Sequence, residues 1–276
     1  LQIDLTEKNL TEIEKSEIEK LLQRENKNIT NDLEQIWFLM DLVWDDCECD
    51  DNNLNEGNIS KFYSHPVWLL NGLFIEQHQE SMGHRHAISD WVVQKNFKNV
   101  VDYGGGFGTL ARLIADKDKT INVNIYEPHP SRFGLKRASE FENIKIINEL
   151  NSDYDCLLST DVLEHVPDPL NDFAGMIKSV RSGGYLVIAN AFYPMIKSHL
   201  TKNFHFRYTF NIFAKMMRLE RIGVLERSYA TIFIKNNNME PNWIMIRTCE
   251  NISKIVFLFI EIAKLLLRPI KKIIIK

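Results

Sequence analysis

Three carboxylates and a run of glycines carry the chemistry this sequence can do. Asp102-Tyr-Gly-Gly-Gly-Phe-Gly108 follows the apolar pair Val100-Val101 and precedes Thr109–Ala115, whose apolar residues have helical spacing. Strand, glycine turn and helix in that order let the backbone approach a ligand closely, because Gly104, Gly106 and Gly108 carry no Cβ. The helix that follows points its free N–H groups back at the turn. Ile121–Glu127 then alternates like a strand and ends in a carboxylate just before Pro128. A carboxylate at such a tip can accept hydrogen bonds from both hydroxyls of a ribose. Tyr154–Thr160 reads as a short buried strand that runs into the polar tip Asp161-Val-Leu-Glu164-His165 and a turn punctuated by Pro167 and Pro169.

These residues need a frame that brings them to one edge. A helix over Leu170–Val180, a turn at Ser182-Gly-Gly184 and a strand over Tyr185–Ala189 continue the chain. Strand and helix alternate strictly, which is the pattern of a parallel, doubly wound sheet with its ligand site at the carboxyl ends of the strands.

The glycine turn, the Glu127 tip, the segment Asp161-Val-Leu-Glu-His-Val166 and the strand Ser182-Gly-Gly-Tyr-Leu-Val-Ile188 together resemble class I S-adenosylmethionine-dependent methyltransferases. The similarity is greatest to the subgroup of ubiquinone-type and sugar O-methyltransferases, and it covers roughly Ser89 to Asn236. A nicotinamide-binding domain competes, since Gly106-Phe-Gly-Thr-Leu-Ala111 tolerably fits a dinucleotide fingerprint with alanine third. The Asp161–His165 segment decides against it. The resemblance implies an α/β fold with a doubly wound, seven-stranded, mostly parallel sheet and helical additions at both ends.

It also implies S-adenosyl-L-methionine as cofactor. Asp102 would brace the turn and the cofactor's amino end, with Gly104, Gly105, Gly106 and Gly108 beside the methionine portion. Glu127 would take the ribose, followed by Pro128. Asn148 or Glu149 would border the adenine, where the family often has Asp. Thr160, Asp161 and Val162 would lie beside the sulfonium. His165 and His205 are the candidate bases, with Tyr63, His84, His86, Arg207 and Tyr208 as candidate acceptor contacts. His129 would border adenine or solvent. No Asn-Pro-Pro-Tyr type signature follows the fourth strand, which favours oxygen over amine as the methylated atom. A module that binds the cofactor without turnover stays open beside the enzyme.

The remaining sequence sets the surroundings. The chain has 276 residues, a net charge of −4 and 45% hydrophobic residues, ordinary globular values. Residues 1–60 read as an acidic helical extension, with a charged helix over Thr6–Arg24 and a second one capped by Asn31. Asp45–Asp51 reads as a charged loop. Its Cys47 and Cys49 lack the spacing of a structural zinc site, and no metal is expected. Residues 61–88, very apolar over Phe62–Phe74, form the candidate lid, followed by the methyltransferase core over 89–236 and a linker over 237–251.

Residues 252–276 carry a charge of +5, leaving −9 on the rest. An acidic body disfavours nucleic acid. In the tail Lys254, Glu261, Lys264, Arg268 and Lys271 make a polar stripe on an apolar helix that Pro269 would kink or end. This reads as a basic amphipathic helix on a membrane surface, and the alternative is a helix packed on a partner or a further domain. Four cysteines without a disulfide framework, Cys156 among them inside a strand, and a charged opening stretch set the expectation of a cytoplasmic protein, peripheral at the inner face of the membrane. The start at Leu1 rather than Met is expected of a piece of a longer polypeptide. The expected acceptor is a sugar or surface-glycan hydroxyl, with a quinone-like or other small molecule as the alternative.

Overall fold

The computed structural model describes residues 1–274, apart from the side chains of residues 265 and 268–274. Five helices come first: α1 (Glu12–Leu22), α2 (Asp32–Asp46), α3 (Glu56–Tyr63), α4 (Pro66–Gln77) and α5 (Gln79–Gln94). The alternating region follows as β1 (Asn99–Tyr103), α6 (Thr109–Lys117), β2 (Asn122–Tyr126), α7 (Arg132–Ala138), β3 (Ile144–Ile147), β4 (Tyr154–Thr160), α8 (Pro169–Ser179) and β5 (Val180–Ala189). Then come α9 (Phe206–Met216), β6 (Leu219–Val224), β7 (Thr231–Lys235) and α10 (Trp243–Ile274).

The strands form one sheet in the order β3-β2-β1-β4-β5-β7-β6. The first five are parallel and β7 runs antiparallel to β5 and β6. Parallel strands buried on both faces read as continuous apolar runs, as Leu157 and Leu158 show with no exposure. One core includes Val100, Ile114, Val123, Leu158 and Ala230, and another includes Val101, Leu157, Leu170, Phe173 and Phe233. Neighbouring strand residues thus point into different cores, as the two faces of one sheet require.

A third core lies under the N-terminal helices and reaches the glycine turn through Phe107 and the β5–α9 connection through Ile196 and Leu200. Phe107 packs so closely on Gly72 of α4 that a Cβ there would fall 1.6 Å from its ring. Glu76, at the end of α4, pairs with Arg112 of α6 and Arg137 of α7 and accepts from Thr109 Oγ1 at 2.7 Å. The N-terminal helices are therefore fastened to the turn they cover.

Several boundaries differ from expectation. The first helix starts at Glu12, because Thr11 and Glu14 cap it reciprocally. The boundary expected between lid and core at 88/89 falls inside α5, which is continuous over Gln79–Gln94. The linker expected over 237–251 already contains the start of α10, whose Ile246, Glu250 and Ser253 are buried. The side chains of Arg268, Pro269 and Lys271, named in the sequence pattern, lie outside the described residues. No described helix is long and apolar enough to cross a membrane.

Candidate active site

Parallel strands bring the residues after β1, β2, β3, β4 and β5 to one edge of the sheet. The glycine turn after β1 has Gly104, Gly106 and Gly108 at φ of 69°, 56° and 80°, a left-handed conformation that side chains with a Cβ adopt at a cost. A Cβ on Gly104 would meet Val162 Cγ2 at 2.5 Å, and one on Gly105 would meet Asp102 Oδ2 at 2.7 Å. A Cβ on Gly106 would meet no atom within 4 Å, so this glycine faces open space.

One carboxylate borders that space and two more are found at the neighbouring strand tips. Glu127 Oε2 accepts from Gly106 N at 2.9 Å and Oε1 from His129 N at 3.0 Å, which leaves a lone pair on each oxygen for a ligand. Asp102 is 3% exposed and its Oδ2 has no partner. Burial pushes its carboxyl up to about 7, against the lowering influence of Arg85. Asp161 has φ of 54° and accepts at Oδ2 from Tyr229 Oη at 2.5 Å, while its Oδ1 is buried without a partner. Burial raises its carboxyl, and Tyr229 and Arg85 oppose that rise. Asn148 and Glu149 are exposed just past β3.

Beyond Asp161 the site becomes aromatic and histidine-rich. Tyr63 stacks on Trp68 at 5.1 Å and on His129 at 5.8 Å. His165 stands edge-on to Tyr63, Trp68 and His199, the last at 4.7 Å between ring centroids. His165 Nδ1 bonds the Ser198 carbonyl at 3.1 Å and His199 Nδ1 the Tyr193 carbonyl at 2.8 Å. A ring nitrogen facing a carbonyl must donate, so the Nε2 of each ring keeps its lone pair.

Burial, with His199 adding to it, pushes His165 down to about 3. Glu164 is fully buried. Its Oε1 accepts from Ala191 N at 2.7 Å and its Oε2 has no partner. Burial, then Asp161, raises its carboxyl well above the usual range. Glu164, His165 and His199 place one ligand atom each within 4.8 Å of one another, the one such grouping among the described residues that could hold a metal ion.

The β5–α9 connection carries His199 and is pinned from both sides. The backbone carbonyl of Glu164 accepts from Leu200 N at 3.0 Å. From the N-terminal helices, Asp41 accepts from Lys197 N at 2.6 Å and Asp51 from Thr201 N at 3.0 Å. The charged Asp45–Asp51 stretch thus ends against this connection instead of standing free in solvent. Between them lies a cleft of about 390 Å³ lined by Asp41, Trp44, Asp50, Asp51 and His199 among others.

Sequence reasoning and structure part company at the second histidine. His205 is 2% exposed and bonds Ser253 of α10 at 2.7 Å, and burial pushes it down to about 4. Arg207 stacks on Tyr193 and on Phe257 of α10, and Tyr208 bonds Glu261 and Lys264. These three fasten α10 to α9 and do not meet His165. They lie within or beside the first turn of α9, which starts at Phe206. His84 bonds the Arg227 carbonyl at 3.1 Å and stands edge-on to Tyr229, whereas His86 is exposed. Tyr63 does lie beside His165. Glu164, His199, Trp68 and Tyr229 were missed. Glu164 sits in the quoted segment and Trp68 in the expected lid, but His199 and Tyr229 belong to elements whose tertiary placement no local pattern encodes.

A family model described as a methyltransferase domain matches residues 75–225, more than half of the chain. Ubiquinone biosynthesis O-methyltransferase of Vibrio cholerae is 26% identical over 159 residues, which cover 54% of this chain and 64% of that protein. The chain therefore spans somewhat less than two thirds of the length of the curated relatives it matches. Among solved structures, the S-adenosylmethionine-dependent methyltransferase SibL aligns with a TM-score of 0.46 and 16% identity over 61% of this chain and 59% of its own. The mitomycin 7-O-methyltransferase MmcR aligns with a TM-score of 0.45 and 12% identity over 59% and 56%.

Proposed function

Because the chain belongs to the methyltransferase-domain family, we propose that it transfers a methyl group from S-adenosyl-L-methionine to a hydroxyl oxygen. The observation that carries this reading is the open space before Gly106 beside Glu127, with buried, unpartnered oxygens of Asp102 and Asp161 at the neighbouring strand tips. The residues fit the cofactor. Free lone pairs on Glu127 suit the ribose hydroxyls, the unpartnered Asp102 Oδ2 suits the amino group, and the unpartnered Asp161 Oδ1 suits a cation at sulfur. When bound, the cofactor supplies a methyl on a positively charged sulfur, a leaving group that is already activated.

The protein's part is to orient, to exclude water and to receive a proton. Holding the acceptor oxygen in line contributes about 7–11 kcal/mol. The wall of Tyr63, Trp68 and His165 closes one side of the space where it would sit. His165 Nε2 is the candidate proton acceptor, since its Nδ1 is committed to Ser198. A base there would add about 10²–10⁴-fold. Burial lowers the basicity of this ring, and His199 and Glu164 are the titratable groups beside it.

We assign the acceptor to the sugars. The cleft beside His199 combines Asp41, Asp50 and Asp51 with Trp44, hydroxyl acceptors and an aromatic side chain that suit a polyol. A second reading, a quinone-like phenol, is favoured by the similarity to the ubiquinone biosynthesis enzyme. Both suit presentation at a membrane surface through α10, which exposes Ile255, Leu258, Phe259 and Ile262 beside its lysines. Methyl-release assays with lipid-linked sugars and with catechols test the assignment. Turnover on the sugars supports it, turnover on catechols alone replaces it with the second reading, and cofactor binding without turnover on any hydroxyl acceptor contradicts both.

A further inference from the structure

The β6–β7 turn reaches across the sheet edge to the tip of β4. Its shape is fixed by Leu225 N to Ala230 O at 2.8 Å, Ser228 N to Leu225 O at 3.1 Å and Ala230 N to Ser228 Oγ at 3.2 Å. Leu225 and Ala230 are buried in the same core as Ile125 and Ala111. The turn therefore has a firm base and delivers Tyr229 from it. From the other side His84 of α5 bonds the Arg227 carbonyl at 3.1 Å and meets the Tyr229 ring edge-on at 5.0 Å. Held in this way, Tyr229 Oη donates to Asp161 Oδ2 at 2.5 Å.

We propose that Tyr229 is a positioning residue: by occupying Asp161 Oδ2 it turns Oδ1 to the cofactor's sulfur as a carboxylate, so the site distinguishes the charged methyl donor from its neutral thioether product. The inference rests on the cofactor reading above. Asp161 is left-handed at φ 54° with its N–H on Ala189 O at 2.8 Å, so its backbone is committed. Its neighbour Val162 closes on Gly104, which sets Asp161 beside the glycine turn. Oδ1 is buried there with no partner. An unpartnered buried acceptor is costly unless a cation arrives to meet it.

Four titratable groups face this carboxyl. Tyr229 from the β6–β7 turn and Arg85 and His84 from α5 favour the charged form, with the tyrosine hydrogen bond the largest of the three. Glu164 from the same β4 tip disfavours it. Burial disfavours it more than any of them. Without the tyrosine hydroxyl the carboxyl would hold its proton to higher pH, and its attraction for a sulfonium would go with the charge.

The test is the ratio of dissociation constants for S-adenosyl-L-homocysteine and S-adenosyl-L-methionine, titrated calorimetrically on the full chain between pH 6 and 9. The ratio cancels whatever Asp102 and Glu127 contribute, because both ligands share the amino acid and the ribose. In Tyr229→Phe the ratio should shift about tenfold against the sulfonium at the acid end of that range and recover as pH rises. Asp161→Asn should lose the same discrimination at every pH, and the double variant should match Asp161→Asn alone. A tyrosine that only stabilises the turn would weaken both ligands equally. An unchanged ratio in Tyr229→Phe, or one that does not recover with pH, overturns the proposal while leaving the cofactor reading intact. Failure of the unaltered chain to bind either ligand would remove both.

Discussion

His165 keeps a free Nε2 because its Nδ1–H is engaged by the Ser198 carbonyl, and His199 is arranged in the same way by Tyr193. Alanine at either position should lower turnover by about 10²-fold or more with little change in cofactor affinity. Alanine at His205 should leave the rate per folded molecule near normal and lower the melting temperature, since that ring fills the α9–α10 interface. Steady-state rates and thermal melts of the three variants check this. A large rate loss at His205 alone would contradict the assignment. At Asp102 the sign follows from burial. Burial holds the carboxyl at about 7, and an ammonium group beside it lowers that value. Cofactor binding should therefore release a proton near pH 7 and tighten as pH rises through that value. Calorimetry in buffers of different ionisation enthalpy reads the proton directly, and uptake instead of release would count against the role. The glycines and the three carboxylates were legible in sequence because each sits at the end of a strand or just after it, where the alternation of elements fixes its place. His165 was named from its place after β4, but its pairing with His199 was not legible, because the two lie in segments distant in the chain.

At the scale of elements, the parallel order and the strand tips followed from apolar runs and glycine turns, and the structure has them. What periodicity could not show is how the N-terminal helices sit. Gly72 accepts the Phe107 ring, and Glu76 joins Thr109, Arg112 and Arg137 across three helices. Such contacts join residues far apart in sequence, so no local window contains them. Glu76→Ala would leave two arginines, both mostly buried, without their carboxylate. The loss should fall at the lower end of the about 3–5 kcal/mol that breaking a buried pair costs, because Glu76 keeps some solvent contact. The urea midpoint should drop accordingly and cofactor affinity should weaken with it, since the same helix backs the glycine turn. A variant as stable as the parent would mean that packing around Phe107 alone holds the lid.

For the whole molecule, an acidic body bears one long helix whose inner face packs on α9 and whose outer face exposes Ile255, Leu258, Phe259 and Ile262. The charge contrast of that tail was readable in composition, whereas the burial of Ile246, Glu250 and Ser253 required the position of α9. Replacing the four exposed residues by Ser should abolish pelleting with vesicles that contain anionic lipid, to which each basic side chain near the surface contributes about 1 kcal/mol. Equal pelleting of both proteins would leave α10 as a contact for another chain. The central claim, however, is that the space before Gly106 holds S-adenosyl-L-methionine. Gly106→Val puts a side chain into that space at a left-handed position whose own cost is about 1–2 kcal/mol, and its Cβ would meet no atom within 4 Å. Calorimetric titration of the unaltered chain and this variant, with circular dichroism of both, is the most direct measurement. The account predicts one site in the unaltered chain and none in a folded variant; equal binding by the two, or none by either, would contradict it.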